Sequence, residues 1–327
     1  MRLLFAGSPA ISVPSLETLG GMKEGFEIAG VLTNPDSPKG RHGNPVPTDV
    51  GEAAVELNRQ FEEQGGSTFP ILKPAKLDEV LREQIKSLKP DLLISFAYGH
   101  IFGPKFMALF PLGGINIHPS LLPEYRGPSP VQASILNRDS VTGITVQTIE
   151  QEVDSGNILA ARQLQLTGRE TAGSLSRTVS LEAALMLPAV LREILAGNTK
   201  GTPQDHKKAS YCCLVKKEDG FIDWKKSAAE IEAKVRAFNP WPLCRTIHNG
   251  RELFILESDI YSGGSDCPQC GLVLGIDKKS GILVQTGKGA LAVTCLQYQA
   301  KKALFWQEFL NGARDFTGSI LGYQEKH

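Results

Sequence analysis

From its second residue to about residue 196 the chain alternates short apolar runs with longer amphipathic stretches, and no other feature limits its fold as tightly. The apolar runs at residues 2–6, 26–32, 91–96, 114–118 and 143–149 have strand length and strand composition. Between them, residues 13–23, 48–64, 77–88 and 171–196 carry helical patterning, the last interrupted by Pro188. Thr48, with Glu52 nearby, marks one helix start. Strands alternating with helices predict an α/β fold: a doubly wound, mostly parallel, Rossmann-like sheet.

The pattern changes beyond residue 210. One helix, residues 228–238, stands among short β-branched runs at 252–256, 271–276, 281–286 and 290–295, separated by glycine turns. This predicts a small C-terminal β-barrel of the OB-like kind. Residues 197–203 are polar and turn-rich, which places the expected domains at 1–204 and 205–327.

Composition narrows the function classes. The 327 residues are 41% hydrophobic and 21% charged, the balance of an ordinary globular protein. No apolar run reaches the ~18 residues of a membrane helix, and Pro9 interrupts the first apolar run too early for a signal peptide. A cytoplasmic monomer without membrane contact is expected. Lys and Arg number 35, as do Asp and Glu, which excludes a strongly basic nucleic-acid binder. The charge is not evenly spread: residues 205–327 hold 17 basic and 14 acidic residues, so a polyanion would find its better partner there. Of six cysteines, only Cys267 and Cys270 make a CxxC pair, and a structural zinc usually needs two such pairs, so no metal site is expected.

Ligands of open α/β sheets bind beyond the carboxyl ends of the strands. Three polar segments fall there. Gly7-Ser8-Pro9 lacks the G-x-G-x-x-G spacing, and Pro9 has no amide to offer a pyrophosphate, which argues against a dinucleotide enzyme. Asn116 and His118 alternate along one strand and share a face. An amide donor beside an imidazole suits a reaction that develops an oxyanion and moves a proton, although strand-end Asn and His also serve as backbone ties. Asp154, in a loop reading Asp-Ser-Gly, is either a carboxylate that orients His118 or an ordinary turn residue.

Asn116-Ile-His118, Ser120-Leu-Leu-Pro123, Tyr125-Arg126-Gly127 and Asp154-Ser-Gly156, in that order and spacing, resemble the folate-dependent formyltransferases. Phe5-Ala-Gly-Ser-Pro9, the segment from Thr33 to Arg41, Ala97-Tyr-Gly99, Ile222-Asp-Trp224 and the segment from Arg236 to Pro242 extend the likeness over nearly the whole chain. A formyltransferase of the purine pathway would lack the second domain. The resemblance implies Asn116, His118 and Asp154 as catalytic residues, and Ser120, Leu121, Leu122 and Pro123 as the loop holding the folate. It implies 10-formyltetrahydrofolate as donor and methionyl initiator tRNA as acceptor, with Arg41 and Lys39 in a loop against the tRNA. Asn116 and a protonated His118 would stabilise the oxyanion, and Asp154 would hold the imidazole. Phe96 and Leu121 would wall the folate cleft. An amino sugar nucleotide is the alternative acceptor. A non-catalytic folate- or RNA-binding module is disfavoured because all three catalytic positions are filled.

Overall fold

A computed structural model of the chain describes residues 1–22, 25–38, 43–263, 269–313 and 315–322. It separates into two compact units. The first comprises Met1–Pro130, Val141–Gln165 and Ser176–Cys213, and the second Val131–Ser140, Leu166–Leu175 and Leu214–His327.

The first unit is built on a seven-stranded sheet. In spatial order its strands are Ile71–Leu72, Glu27–Leu32, Arg2–Gly7, Leu92–Phe96, Gly114–His118, Val141–Thr148 and Ile158–Gln165. The first five run parallel, and the last two pair antiparallel. Central strands read as unbroken apolar runs because both faces are covered: Leu92–Phe96 is buried at every position. Leu4, Leu32, Leu81, Ile85 and Leu93 form one core cluster with Tyr98, Phe102, Phe106 and Phe110. The last four stack in series, with ring centroids 5.7, 5.1 and 5.6 Å apart.

Helix starts follow their caps. The Thr48 hydroxyl accepts from Gly51 N at 3.0 Å, and the Asp78 carboxylate accepts from Leu81 N at 3.0 Å, beginning Asp49–Glu63 and Glu79–Leu88. The long helix Ala172–Leu195 carries Pro188 in its interior.

Two features depart from the expected sheet. Ile158–Gln165 is an additional edge strand, and Val141–Thr148 turns antiparallel to its neighbour. The register that results sets Asn116 opposite Gln147 and His118 opposite Thr145. Gln147 and Thr145 are 1% and 0% exposed, so two polar side chains are committed to a buried face beside the expected site.

In the second unit the helix Ala228–Ala237 opens with a reciprocal cap between Ser227 and Glu230. Antiparallel strands follow in the order Cys244–His248, Arg251–Tyr261, Ala290–Tyr298, Gly281–Gln285, Val273–Asp277. The terminal segment bridges the two outer strands: Val273 N donates to Ser319 O at 2.9 Å and Gly322 N to Ile247 O at 3.1 Å. The sheet thereby curls into a barrel with no long exposed edge. Trp224, 4% exposed, donates its indole N–H to Thr246 at 3.0 Å inside this unit. No helix among the described residues is long and apolar enough to cross a membrane.

Leu93 is completely buried in the central sheet. Leu93→Ala is expected to lower the unfolding free energy by about 2–5 kcal/mol, measured as a lower urea midpoint in the circular dichroism of the full chain.

Candidate active site

Asn116 and His118 leave the same face of the Gly114–His118 strand, and Asp154 comes to them from the loop that follows Val141–Thr148. That loop is closed where Thr148 N donates to Asn157 O and Asn157 N to the Thr148 hydroxyl, both at 2.9 Å. The closure requires glycine at 156, where a Cβ would lie 1.8 Å from Thr148 O. Asp154 itself stands at φ +55, in the left-handed region.

Its carboxylate is held from three sides. Gly127 N donates to Oδ2 at 2.8 Å. Gln147 Nε2 donates to Oδ1 at 3.0 Å, and Asn116 Nδ2 reaches the same oxygen at 3.3 Å. His118 Nδ1 faces Oδ1 at 3.5 Å. Gly127 takes φ +108, and a Cβ there would meet Cys212 O at 2.5 Å, so the amide that anchors Asp154 depends on a residue with no side chain.

His118 is 4% exposed, and its Nε2 donates to Tyr125 O at 2.9 Å. Burial lowers its pKa below the ordinary 6.5, against the raising pull of the Asp154 charge and the Tyr125 carbonyl. Burial thus favours the neutral imidazole, and the Tyr125 carbonyl, which can only accept, favours the tautomer with its hydrogen on Nε2 and Nδ1 open towards Asp154. This differs from the expected protonated oxyanion donor, because desolvation disfavours the cation and Tyr125 already engages the Nε2 hydrogen. The arrangement suits a base at Nδ1 whose conjugate acid Asp154 would stabilise. Asn116 Nδ2 carries a second hydrogen and is the available amide donor for an oxyanion.

The Ser120–Pro123 segment sits beside these groups. The Ser120 hydroxyl is buried and donates to Glu124 O at 2.6 Å. Thr145 ties the segment to the sheet, donating to Ser120 O at 2.8 Å and accepting from Leu122 N at 3.1 Å. Leu121 lies over Gly143, Leu122 is buried, and Pro123 is half-buried. Ser120 and Leu122 thus shape the loop from within. Phe96 is 0% exposed and presents no surface to a cleft, because the covered sheet encloses it. Lys39, Arg41 and Cys267 lie outside the described residues.

The structure adds residues that the sequence reading left out. Gln147 touches Asp154 directly. Gln204 Nε2 lies 2.9 Å from Asp154 O and 3.1 Å from Gln147 Oε1. Arg126, 1% exposed, donates to Gln204 Oε1 at 3.2 and 2.7 Å. Residues 210–212 run beside 125–126, with Arg126 N donating to Ser210 O and Cys212 N to Arg126 O, each at 2.8 Å. The stretch from Gln204 to Cys212 therefore belongs to the catalytic neighbourhood, past the expected boundary at 204. The alternation Thr145-Val-Gln147 opposite Asn116 and His118 was a usable signal for Gln147. Arg126 stood in the Tyr125-Arg126-Gly127 motif without an assigned role, and nothing local marks Gln204.

A parallel sheet closed by two antiparallel strands brings an amide, an imidazole and a carboxylate together at its strand ends, a set whose chemistry suits acyl transfer. The formyl transferase family model matches residues 1–191, and the model for the formyl transferase C-terminal domain matches residues 214–314. The chain belongs to the formyl transferase family. It is 48% identical to a methionyl-tRNA formyltransferase of Treponema denticola, over 97% of this chain and 98% of that one. A methionyl-tRNA formyltransferase of Treponema pallidum is 41% identical over 98% of this chain and 99% of its own. Among solved structures, an N-formyltransferase from Helicobacter canadensis shares the fold at a TM-score of 0.63, with 19% identity over 90% of this chain and 99% of that one.

The His118 resonances are expected to titrate below pH 6.5, and Asp154→Asn to move them lower still, since the carboxylate is what raises that pKa. Nuclear magnetic resonance of the imidazole against pH measures both. Thr145→Val keeps the shape but leaves Leu122 N and Ser120 O without their partner. A loss of about 1–3 kcal/mol is expected in chemical denaturation.

Proposed function

We propose that this chain transfers the formyl group of 10-formyltetrahydrofolate to the α-amine of methionyl initiator tRNA, with Asn116, His118 and Asp154 at the reacting centre. The observation that carries the site is the convergence of Asn116 and His118 on Asp154 Oδ1. The acceptor is supported by the methionyl-tRNA formyltransferases of two Treponema species, similar to this chain over nearly its full length.

The neutral amine attacks the formyl carbon, forming the new N–C bond while the carbonyl pair moves to oxygen. The second hydrogen of Asn116 Nδ2 meets that oxyanion. The proton lost by the amine goes to His118 Nδ1, where the Asp154 carboxylate and the Tyr125 carbonyl stabilise the imidazolium. As the tetrahedral centre collapses, the bond to N10 breaks and the proton is returned to N10. A buried site favours this sequence, because the low dielectric strengthens each of these contacts when charge develops.

A neutral chain must meet a polyanion through local basic surface. Lys207, Lys208, Lys216, Lys217, Lys225 and Lys226 are all exposed. Lys39 and Arg41, in the loop after the second strand, are proposed to grip the acceptor stem. Arginine's planar fork makes Arg41 the stronger phosphate ligand of the two. The protein would act in the cytoplasm, on initiator tRNA before translation starts.

Incubation with 10-formyltetrahydrofolate and methionyl-tRNA should give formyl-methionyl-tRNA. Formylation of an amino sugar nucleotide instead would replace the acceptor. His118→Ala and Asp154→Asn should each cut turnover by about 10² or more, with the double variant little worse than the poorer single. Arg41→Ala should weaken use of methionyl-tRNA while leaving folate affinity unchanged; wild-type kinetics on tRNA would remove that loop from the reading.

A further inference from the structure

Arg126 is a buried cation without a buried carboxylate at hand. The Glu152 carboxylate lies 3.7 Å from its Nη1, and that side chain is 64% exposed. A guanidinium taken out of water is costly unless it is compensated. Its remaining contacts are neutral. Nη1 donates to the Tyr211 hydroxyl at 3.3 Å, Nη2 lies 3.1 Å from His206 Nδ1, and Nε and Nη2 both donate to Gln204 Oε1.

The last contact has a directional consequence. With its oxygen fixed by Arg126, the Gln204 amide must turn its nitrogen the other way. That nitrogen lies 3.1 Å from Gln147 Oε1, 2.9 Å from Asp154 O and 2.7 Å from Gly156 O. Gln147, its own oxygen so engaged, turns its nitrogen to Asp154 Oδ1 at 3.0 Å. Two buried amides, 6% and 1% exposed, are thus aligned head to tail between a cation and a carboxylate. Neither can flip without setting like groups against each other at both ends.

We propose that Arg126, Gln204 and Gln147 are positioning residues that act in series on Asp154, fixing its carboxylate and moderating the pull of Oδ1 on a proton at His118. Asp154 is the charge that complements Arg126, reached through the two amides. Gln204 also binds the main chain at both Asp154 and Gly156, which holds the left-handed turn that presents the carboxylate. Gln147 donates to the same oxygen that faces His118 Nδ1. Removing that donor concentrates negative charge on Oδ1 and stabilises the imidazolium. The other groups around His118 are the Tyr125 carbonyl and, beside it, the Cys212 thiol at 3.6 Å from that carbonyl. Glu152, His206 and Tyr211 sit at the far end, on Arg126.

The inference rests on the reading of Asp154 as catalytic, and the experiment separates the two. Gln204→Glu keeps the size of the side chain and still accepts from Arg126, but it cannot donate to Gln147 or to the Asp154 turn. In the full-length protein, three quantities are measured: unfolding midpoint, steady-state kinetics with 10-formyltetrahydrofolate and methionyl-tRNA, and the titration of His118 by nuclear magnetic resonance. The expected result is a folded protein with a lowered unfolding midpoint, since an oxygen now faces three oxygens, KM for the formyl donor within about twofold, and kcat lower by about 10²-fold, the scale of a small misplacement of a reacting group. His118 should titrate at higher pH than in the wild type. Because the new carboxylate would itself raise that titration, the decisive reading comes from Gln147→Leu, which adds no charge and in which a side chain that serves only structure would leave the titration unmoved.

Gln147→Leu, on a strand paired along both edges, should give the same pair of changes and decides the matter if Gln204→Glu does not fold. Combining the two should be no worse than the poorer single; multiplying effects would overturn a serial relay. Wild-type kcat and His118 titration in a folded variant would overturn it too, with Asp154→Asn inactive in the same assays to show that the site itself stands. Activity in Asp154→Asn would remove the reading of Asp154 and the relay together.

Discussion

The Asp154 carboxylate is the contact on which the rest of the site depends. It gathers donors from the strand that carries Asn116, from the antiparallel strand that carries Gln147, and from the amide of Gly127. Those three donors lie on separate stretches of chain, so the carboxylate also locks them to one another. A buried anion with fewer donors would neutralise or leave, which makes each donor a condition for the others. The two glycines, Gly127 and Gly156, permit the close backbone approaches that let this happen. The Asp-x-Gly pattern is therefore a packing requirement as much as a chemical signature.

Burial then sets the chemistry. Desolvation lowers the His118 pKa, and in the proposed reaction this leaves Nδ1 to take the proton of the attacking amine. The same low dielectric makes the imidazolium formed in the reaction sensitive to Asp154. An exposed imidazole with the same neighbours would respond weakly to both. The site thus draws its reactivity from the covered sheet around it, whose central strands are buried on both faces.

Some of this was legible in the chain. Short, largely apolar runs marked Leu92–Phe96 and Gly114–His118 as strands, and Thr48 marked a helix start, because those signals are local. The edge strand Ile158–Gln165 escaped notice because its short apolar start, Ile158 to Ala161, gives way to an exposed half carrying Arg162, Gln163 and Gln165. Asn116, His118 and Asp154 could be picked out as polar residues at strand ends. Gln147 was half legible, as the polar partner that an antiparallel register would set opposite Asn116. The resemblance puts Ser120 in the loop expected to hold the folate; that its hydroxyl turns into the loop itself, donating to Glu124 O, is visible only in the fold.

By itself the sequence determined the α/β alternation and the change to antiparallel β structure after residue 210, and it singled out the groups proposed to react, since periodicity and residue chemistry are carried by neighbours along the chain. Only the tertiary structure decided which atoms of those groups face each other, that burial pushes the His118 pKa down, and that Arg126 and Gln204, 78 positions apart, meet behind Asp154. Hydrogen-bond direction and desolvation are properties of the enclosed space, and that space exists only when distant segments have closed around it.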